Sequence, residues 1–368
     1  MAGRIINTTP KQDGFRMPGE FEEQEQIWML WPQRTDTWRD GAKPAQKTFI
    51  KVAEAIRQFE PVTICVSPEQ YENCRTQVPE SIRVVEMTSN DAWMRDMGPT
   101  FVVDDQGGIR GCDWTFNAWG GLVDGLYFPW DQDDLIARKV CDMEGIDSYR
   151  TEGFVLEGGS FHVDGEGTVI TTEMCLLSEG RNPHLSKEEI EDMLKEYLNC
   201  EKVIWVKDGI DPDETNGHID DVVQYIRPGE VACIWTDDPD HPFYKEARAA
   251  YEQLSQETDA KGRRLKVHKV CLTKNPVLLK GADTIDRTEG AVPREEGDTT
   301  IATYMNFLIV NGGVIVPQYG DENDALALKQ IGELFPERKA VGVRTEEVVY
   351  GGGNIHCITQ QQPKAKKC

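Results

Sequence analysis

The 368-residue sequence has no apolar segment that could cross a lipid bilayer. Its longest purely aliphatic stretches are short, as in Leu308-Ile309-Val310, whereas a spanning helix needs about 20 apolar residues. The opening residues MAGRIINTTPKQDG lack the apolar centre of a secretory signal. The ten cysteines are dispersed, with no CxxC pair and no zinc-ligand spacing. We therefore expect reduced thiols in a cytoplasmic protein that has no bound metal.

Basic residues are scarce relative to acidic ones. Lysine and arginine number 40 against 64 aspartates and glutamates, which gives a formal charge of −24. This balance argues against nucleic acid and against an anionic membrane surface as partners, since both are bound through basic patches. It favours a small cationic ligand, which the negative electrostatic field of the protein would attract towards its binding site. A well-solvated acidic surface with no functional meaning is the alternative from charge alone.

Four segments share one pattern: a short apolar run, a turn that contains glycine, and a second β-rich run. They cover residues 97–116, 158–175, 218–237 and 304–319. Their turn chemistry predicts a β-hairpin in each. A fifth copy begins at 351–358, and we expect its partner strand to come from residues 28–31.

Amphipathic patterns of helical period lie between the hairpins, and a single β-rich run follows each of them. The predicted helices cover 45–59, 129–143, 186–198, 242–254 and 322–334. The predicted single strands cover 62–66, 148–150, 202–206, 265–271 and 340–343. An extra helix at 68–77 and an extra strand at 82–87 belong to the first unit, and the fourth has a longer connection at 259–293.

The sequence thus predicts an α/β fold of five pseudo-repeated ββαβ units. Because one unit alone cannot cover its apolar faces, we expect a single cyclic domain over residues 1–368. Two conventional α/β domains are the alternative.

Polar residues stand at the hairpin starts. Asp96 and Glu157 precede the first two hairpins, His218 opens the third with Asp220 two residues later, and Cys357 belongs to the fifth copy. The same 61 residues separate Asp96 from Glu157 and Glu157 from His218. In a ring of equivalent units these positions point at the common axis, so the sequence predicts that carboxylates, an imidazole and a thiol meet there.

Such a cluster suits one kind of chemistry. A cysteine beside a histidine can act as a nucleophile, but nearby carboxylates disfavour the thiolate. They make sense if the substrate is a planar cation, since a guanidinium matches carboxylates bidentately. Bound between Asp96 and Asp220, it would supply the charge that makes Cys357 anionic. The residues therefore point to a guanidine hydrolase, although Cys357 alone could be an ordinary buried residue.

Several long stretches of this sequence resemble the agmatine deiminases of the guanidine-modifying, pentein-fold superfamily. They are NDAWMRDMGP, WTFNAWGGL, FVLEGGSFHVDG, TNGHIDD, VPQYGDENDALA and YGGGNIHCITQQ. Together with the opening DGFRMPGEFEEQEQIWMLWP they extend over nearly the whole chain. The resemblance implies a five-bladed β/α propeller that hydrolyses agmatine to N-carbamoylputrescine and ammonia. It implies no metal or organic cofactor.

The resemblance also implies a role for each matching residue. Cys357 would be the nucleophile that forms an amidino-cysteine intermediate, and His218 the general acid and base. Asp96 and Asp220 would grip the guanidinium nitrogens. Glu157 would orient His218 and help to hold the guanidinium.

The resemblance further implies that Gly352 and Gly353 allow close backbone approach. The rest of the substrate pocket is inferred from the shape of agmatine, a dication without an α-carboxylate. We expect Trp93 and Trp119 to form walls that can contact cations, and Glu214 is the candidate for the distal ammonium. No arginine is expected there to bind a carboxylate, and Arg95 should face away from the pocket.

Other functions remain open at this stage. One is a related hydrolase that acts on arginine or a methylated arginine; another is a non-catalytic polyamine-binding protein. A papain-like protease is disfavoured because Cys357 follows the histidine and lacks the local protease signature. The resemblance further suggests a homo-oligomer in agmatine degradation and putrescine biosynthesis.

Overall fold

A computed structural model describes residues 2–210 and 214–365 of the chain. Within them lie sixteen strands and eleven α-helices. The strands are β1 (Gln24–Leu30), β2 (Val62–Val66), β3 (Arg83–Glu86), β4 (Thr100–Val103), β5 (Ile109–Thr115), β6 (Asp147–Val155), β7 (Phe161–Val163), β8 (Thr168–Thr172), β9 (Lys202–Val206), β10 (Val223–Arg227), β11 (Glu230–Trp235), β12 (Lys266–Cys271), β13 (Leu308–Val310), β14 (Gly313–Gln318), β15 (Lys339–Arg344) and β16 (Thr359–Pro363).

The helices are α1 (Pro10–Asp13), α2 (Lys43–Arg57), α3 (Tyr71–Gln77), α4 (Met94–Met97), α5 (Gly121–Asp124), α6 (Ile136–Glu144), α7 (Glu173–Leu176), α8 (Lys187–Leu198), α9 (Tyr244–Leu254), α10 (Asp324–Leu334) and α11 (Glu346–Val349). Short 3-10 turns cover Arg39–Ala42, Pro68–Gln70, Gly158–Ser160, Ile219–Asp221 and Ala282–Thr284. No helix in the described residues combines the length and the apolar character that crossing a bilayer requires.

The strands form five small sheets, here called blades, with one topology. Blade 1 has the order β16-β1-β2-β3, and blades 2 to 5 are β4-β5-β6, β7-β8-β9, β10-β11-β12 and β13-β14-β15. In blades 2 to 5 an antiparallel hairpin is followed by a third strand parallel to its second strand. The long helices α6, α8, α9 and α10 each pack against their own blade. The predicted ββαβ units are therefore confirmed.

Hydrogen bonds between blades close them into a ring. Side-chain amides donate from Gln360 of blade 1 to the Pro99 carbonyl beside blade 2 at 2.7 Å, and from Gln24 of blade 1 to the Ile309 carbonyl of blade 5 at 3.0 Å. Gln224 of blade 4 likewise reaches the Phe307 carbonyl beside blade 5 at 3.1 Å. Because these amides are buried, their bonds to the next blade satisfy polar groups that water cannot reach. The result is a five-bladed propeller.

The two ends of the described chain meet in blade 1. Strand β16 pairs antiparallel with β1, with Trp28 opposite Gln360 and Met29 opposite Thr359. The predicted partner near residues 28–31 is thus confirmed. This pairing also fixes Cys357, which lies just before β16, relative to the first strand.

The predicted helix at 129–143 is wrong over its first half, since α6 begins only at Ile136. The preceding turn instead forms hydrogen bonds to other parts of the chain. The Asp133 carboxylate accepts from the backbone N–H of Asn90 at 2.7 Å, and the Asp134 carboxylate accepts from the backbone N–H of Phe116 at 2.8 Å. Side chains that bind backbone groups elsewhere compete with a helix. The single domain over residues 1–368 stays a prediction.

Candidate active site

The predicted polar residues come together at the centre of the ring. Gly159 shows this most directly, because a Cβ placed there would lie 2.5 Å from Nδ1 of His218 and 3.1 Å from carboxylate oxygens of both Asp220 and Asp96. The three side chains converge on a position that only glycine leaves open. The Cys357 Sγ lies 3.9 Å from Asp220 Oδ2.

Asp96 is held by two neutral donors. The indole N–H of Trp119 donates to Oδ2 at 2.8 Å and the backbone N–H of Gly159 to Oδ1 at 2.9 Å. The side chain lies on α4 at the start of blade 2, and burial raises its pKa to about 6 despite the opposing effect of His218. The carboxylate is therefore fixed in orientation but takes a proton readily in mildly acid solution.

Cys357 is a buried thiol in the resting protein. Burial raises its pKa well above the ordinary value, and the charges of Asp220, Asp221 and Asp96 add to the effect. The Asn306 side chain lies against the sulfur, with Nδ2 at 3.2 Å, and its Oδ1 accepts from the Cys357 backbone N–H at 3.3 Å. Asn306 precedes the hairpin of blade 5, so its position in the repeat was the signal that could have identified it.

His218 lies between two carboxylates. Nδ1 is 3.9 Å from Asp96 Oδ2, and Nε2 is 3.8 Å from Glu157 Oε2. Burial alone would lower its pKa, but the charge of Asp96 and hydrogen bonds with Cys175 and Glu157 raise it well above the ordinary value. These neighbours therefore favour the protonated imidazole, which is the form that can donate a proton.

Glu157 has a cationic partner that sequence reasoning missed. Arg181 Nε lies 2.7 Å from Glu157 Oε1, and both side chains are fully buried. Arg181 also donates to the backbone carbonyl of Thr215 at 2.8 Å and to that of Trp119. Arg181 does not lie at the start of a hairpin, so its position in the repeat gave no sign of a role in the site. The ion pair lowers the pKa of Glu157 against the effect of burial, so the carboxylate stays ionised beside His218.

A pocket leads from Cys357 to the surface. It is lined by Arg34, Asp36, Thr37, Asp91, Trp93, Asp96, Trp119, Leu126, Tyr127, Glu214, Thr215, Ala291, Val292, Arg294, Gly351, Gly352 and Cys357. The rings of Trp93 and Trp119 meet edge to face, with centroids 6.3 Å apart, and form its inner walls. Each of the predicted pocket residues except Gly353 lines this space.

Gly353 lies directly behind the pocket wall. A Cβ there would be 2.5 Å from the Trp93 ring and 3.1 Å from the Cys357 Cβ. Gly352 has a φ of +104°, and a Cβ on it would meet Arg294 Nη2 at 2.9 Å. A side chain at either glycine would collide with its neighbours, and the expected close backbone approach to a substrate stays a prediction.

Two arginines line the pocket, where none was expected to bind a substrate carboxylate. Arg294 donates to Glu214 Oε2 at 2.6 Å, and Arg34 Nε lies 2.5 Å from Asp36 Oδ1. Both guanidinium groups are thus already bound to a carboxylate, which neutralises them within the pocket. Arg95 does face away as expected, since its Nη1 donates to Gln361 at 2.7 Å on the far side of Asp96.

Ligand atoms of Glu157, Cys175 and His218 come within 4.8 Å of one another, as do those of Asp220, Asp221 and Cys357. The first group already holds the Arg181 guanidinium, whose charge opposes a metal cation there. Of the second group, Cys357 lines the pocket.

The five-bladed propeller, with a buried thiol, an imidazole and carboxylates gathered at its axis, defines a guanidine-modifying hydrolase of the pentein fold. A solved structure of a dimethylarginine dimethylaminohydrolase shares this fold, with a TM-score of 0.51 at 11% identity over 92% of this chain and 99% of that one. The family model described as Porphyromonas-type peptidyl-arginine deiminase matches residues 16–363.

Two relatives are far closer. A protein of Streptococcus mutans, named provisionally as an agmatine deiminase, is 72% identical over 99% of this chain and 100% of its own length. The solved structure described as the agmatine deiminase of Enterococcus faecalis catalyzing its reaction has a TM-score of 0.98 at 66% identity, over 99% of this chain and 100% of that one. The chain belongs to the agmatine deiminase family, within the Porphyromonas-type peptidyl-arginine deiminases.

We expect Arg181→Met to destabilise the protein by about 3–5 kcal/mol, because it leaves the Glu157 charge buried without its partner. Adding Glu157→Gln should recover part of that loss, since the second change removes the charge. Urea denaturation measures both. Arg4→Met removes an ion pair of the same 2.7 Å length whose arginine is 78% exposed, and it should cost less than about 1 kcal/mol. Equal losses for Arg181→Met and Arg4→Met would contradict the argument.

Proposed function

We propose that this protein is an agmatine deiminase, which hydrolyses agmatine to N-carbamoylputrescine and ammonia. The observation that carries the proposal is the position of Cys357, which faces Asp220 at 3.9 Å at the inner end of a pocket that Asp96 also lines. Two carboxylates can bind two edges of a guanidinium, which would bring its central carbon next to the sulfur. Relatives that are named as agmatine deiminases, and that this chain matches over their full length, support the same conclusion.

The first half of the reaction forms a covalent adduct. The guanidinium, bound between Asp96 and Asp220, lowers the pKa of the Cys357 thiol, whose proton leaves to solvent. The thiolate then bonds to the guanidinium carbon. His218, whose neighbours favour its protonated form, donates a proton to one amino group. The C–N bond breaks, ammonia departs, and an amidino-cysteine remains.

The second half consumes water. His218, now neutral, takes a proton from a water molecule as its oxygen bonds to the amidino carbon. The C–S bond breaks, the thiolate is restored, and the carbonyl of the product forms with release of one proton. That proton and the departed ammonia together account for ammonium. Glu157 keeps His218 in place throughout, at 3.8 Å.

Specificity for agmatine is proposed to rest on Glu214 at the outer part of the pocket. Its carboxylate attracts the distal ammonium of agmatine and repels the α-carboxylate of arginine. Arg294 favours a second candidate, hydrolysis of arginine, because it could bind that α-carboxylate after leaving Glu214, 2.6 Å away.

We also propose that the enzyme works in the cytoplasm, as a homo-oligomer, in agmatine degradation towards putrescine. The dispersed cysteines support a reducing compartment, and the family resemblance supports the assembly and the pathway.

We expect Cys357→Ser to abolish ammonia release from agmatine, because the hydroxyl is not ionised by the bound cation. Wild-type protein denatured during turnover should show an amidino adduct on the Cys357 peptide by mass spectrometry. Cys233→Ser, in a buried strand position of β11, is the matched control and should keep its activity. Ammonia release that persists in Cys357→Ser would reject Cys357 as the nucleophile.

We expect Glu214→Gln to raise the KM for agmatine by about tenfold or more, which corresponds to about 1.4 kcal/mol of lost attraction. Side-by-side ammonia assays with agmatine and arginine should show agmatine preferred in the wild type and less so in the variant. The control is Glu347→Gln, whose carboxylate pairs with Arg39 at the same 2.6 Å but lies outside the pocket. Faster turnover of arginine than of agmatine by the wild type would favour the second candidate.

A further inference from the structure

A buried row of charged side chains lies behind Asp220, on the side away from the pocket, and the reaction above does not use it. The His356 ring connects two carboxylates: Nδ1 lies 2.7 Å from Asp220 Oδ2, and Nε2 lies 2.8 Å from Glu20 Oε2. Both carboxylates and the imidazole are almost fully buried. Water therefore cannot replace any of these bonds.

Counting protons assigns the charge of this ring. An ionised carboxylate only accepts hydrogen bonds, so two carboxylates at the two ring nitrogens require a proton on each nitrogen. A neutral ring would instead require one carboxyl group to carry the proton. The doubly protonated ring is a cation between two anions, an arrangement favoured in a buried setting of low dielectric.

The surroundings of Glu20 favour its ionised form. Its Oε1 accepts from the backbone N–H of Ile309 at 2.9 Å, and Arg95 Nη2 lies 3.8 Å from Oε2. The Nδ1 of His162 accepts from the backbone N–H of Tyr225 at 3.2 Å, which leaves the proton on its Nε2, 3.6 Å from Glu20. With Glu20 already supplied with donors, the shared proton belongs to His356.

The electrostatics agree with the proton count. Burial and the charge of Arg95 oppose a proton on His356, but Glu20 and Asp220 outweigh them and raise its pKa. Burial alone would raise the pKa of Asp220, yet the hydrogen bond and the charge of His356 lower it. The charges of His218 and Arg95 also lower the pKa of Asp220. Asp96, which approaches Asp220 across Gly159, has the same charge and opposes its ionisation.

We propose that His356 is a positioning residue of this active site: an imidazolium that keeps Asp220 ionised and turned towards the substrate guanidinium. The proposal deepens the proposed function and rests on it. His356 touches neither the pocket nor the reacting sulfur through its ring. It acts through Asp220, whose Oδ2 accepts from the ring and also faces Cys357.

The backbone of His356 strengthens the arrangement. Its N–H donates to Asn306 Oδ1 at 2.9 Å, and its carbonyl accepts from Arg95 Nε at 3.2 Å. Asn306 also contacts the Cys357 sulfur at 3.2 Å. These bonds hold the His356 backbone in place, and the ring in turn fixes the orientation of the Asp220 carboxylate.

The pH dependence of kcat/KM for agmatine tests this role. In the wild type we expect kcat/KM to fall as the pH drops through about 6, where Asp96 takes a proton. In His356→Gln, Asp220 loses its cationic neighbour beside Asp96, so its pKa rises and the acid limb should move up by about one pH unit or more. At pH 5, below both limbs, kcat/KM should then be about tenfold lower than in the wild type, whereas at pH 7 the loss should be about twofold.

His162→Gln is the matched control. His162 is a buried histidine near the same Glu20, with ring centroids 6.0 Å from His356, but its bonds go to Tyr225 and Glu20 rather than to Asp220. It should lower stability without moving the acid limb. If His356→Gln keeps the wild-type acid limb, or if both variants shift it equally, the positioning role is wrong.

A measurement on unmodified protein separates this proposal from the proposed function and does not depend on a variant that folds. The chain has six histidines, so 15N-labelled imidazoles can be assigned by NMR in the full-length protein. At pH 7 we expect both nitrogens of His356 to carry protons. A neutral His356 ring overturns the proposal whether or not agmatine is hydrolysed, whereas absence of ammonia release from agmatine by the wild type overturns only the proposed function.

Discussion

Negative charge buried at the axis of the propeller is the constraint on which the rest of the site depends. Three carboxylates lie there out of reach of water, and each would lose its charge without a partner. Arg181 supports Glu157 at 2.7 Å, and His356 supports Asp220 at the same distance. Asp96 is held by neutral donors, and its pKa of about 6 shows that it is the least supported of the three. A cationic substrate is what completes this balance.

The ring of blades also brings Cys357 to that charge. Cys357 immediately precedes the last strand, which pairs with the first strand of the chain. Until β16 and β1 meet, the sulfur has no fixed relation to Asp96 or Asp220. Completion of blade 1 and assembly of the candidate active site therefore depend on the same strand pairing.

Repetition made much of this molecule predictable. Each hairpin has its own turn chemistry, and strands such as Val62–Val66 and Lys202–Val206 have the predicted bounds. Equivalent positions in the repeat also led to Asp96, Glu157 and His218. Residues 61 positions apart occupy the same place in successive blades, and in a ring these places all face the common axis. The partners of these residues could not be found in that way. Glu20 precedes the first strand and is 336 residues from His356, and Arg181 and Arg294 lie in connections outside the repeat.

We predict that positive charge on the ligand, rather than a permanently ionised sulfur, makes Cys357 reactive. Alkylation rates at pH 7 with cationic 2-chloroacetamidine and neutral 2-chloroacetamide, each divided by its rate with glutathione, test this directly when followed by mass spectrometry of the Cys357 peptide. We expect a preference for the cationic reagent at Cys357 of about tenfold or more, equivalent to at least one pKa unit, and none at the half-buried Cys271. Equal normalised rates at Cys357 would contradict it.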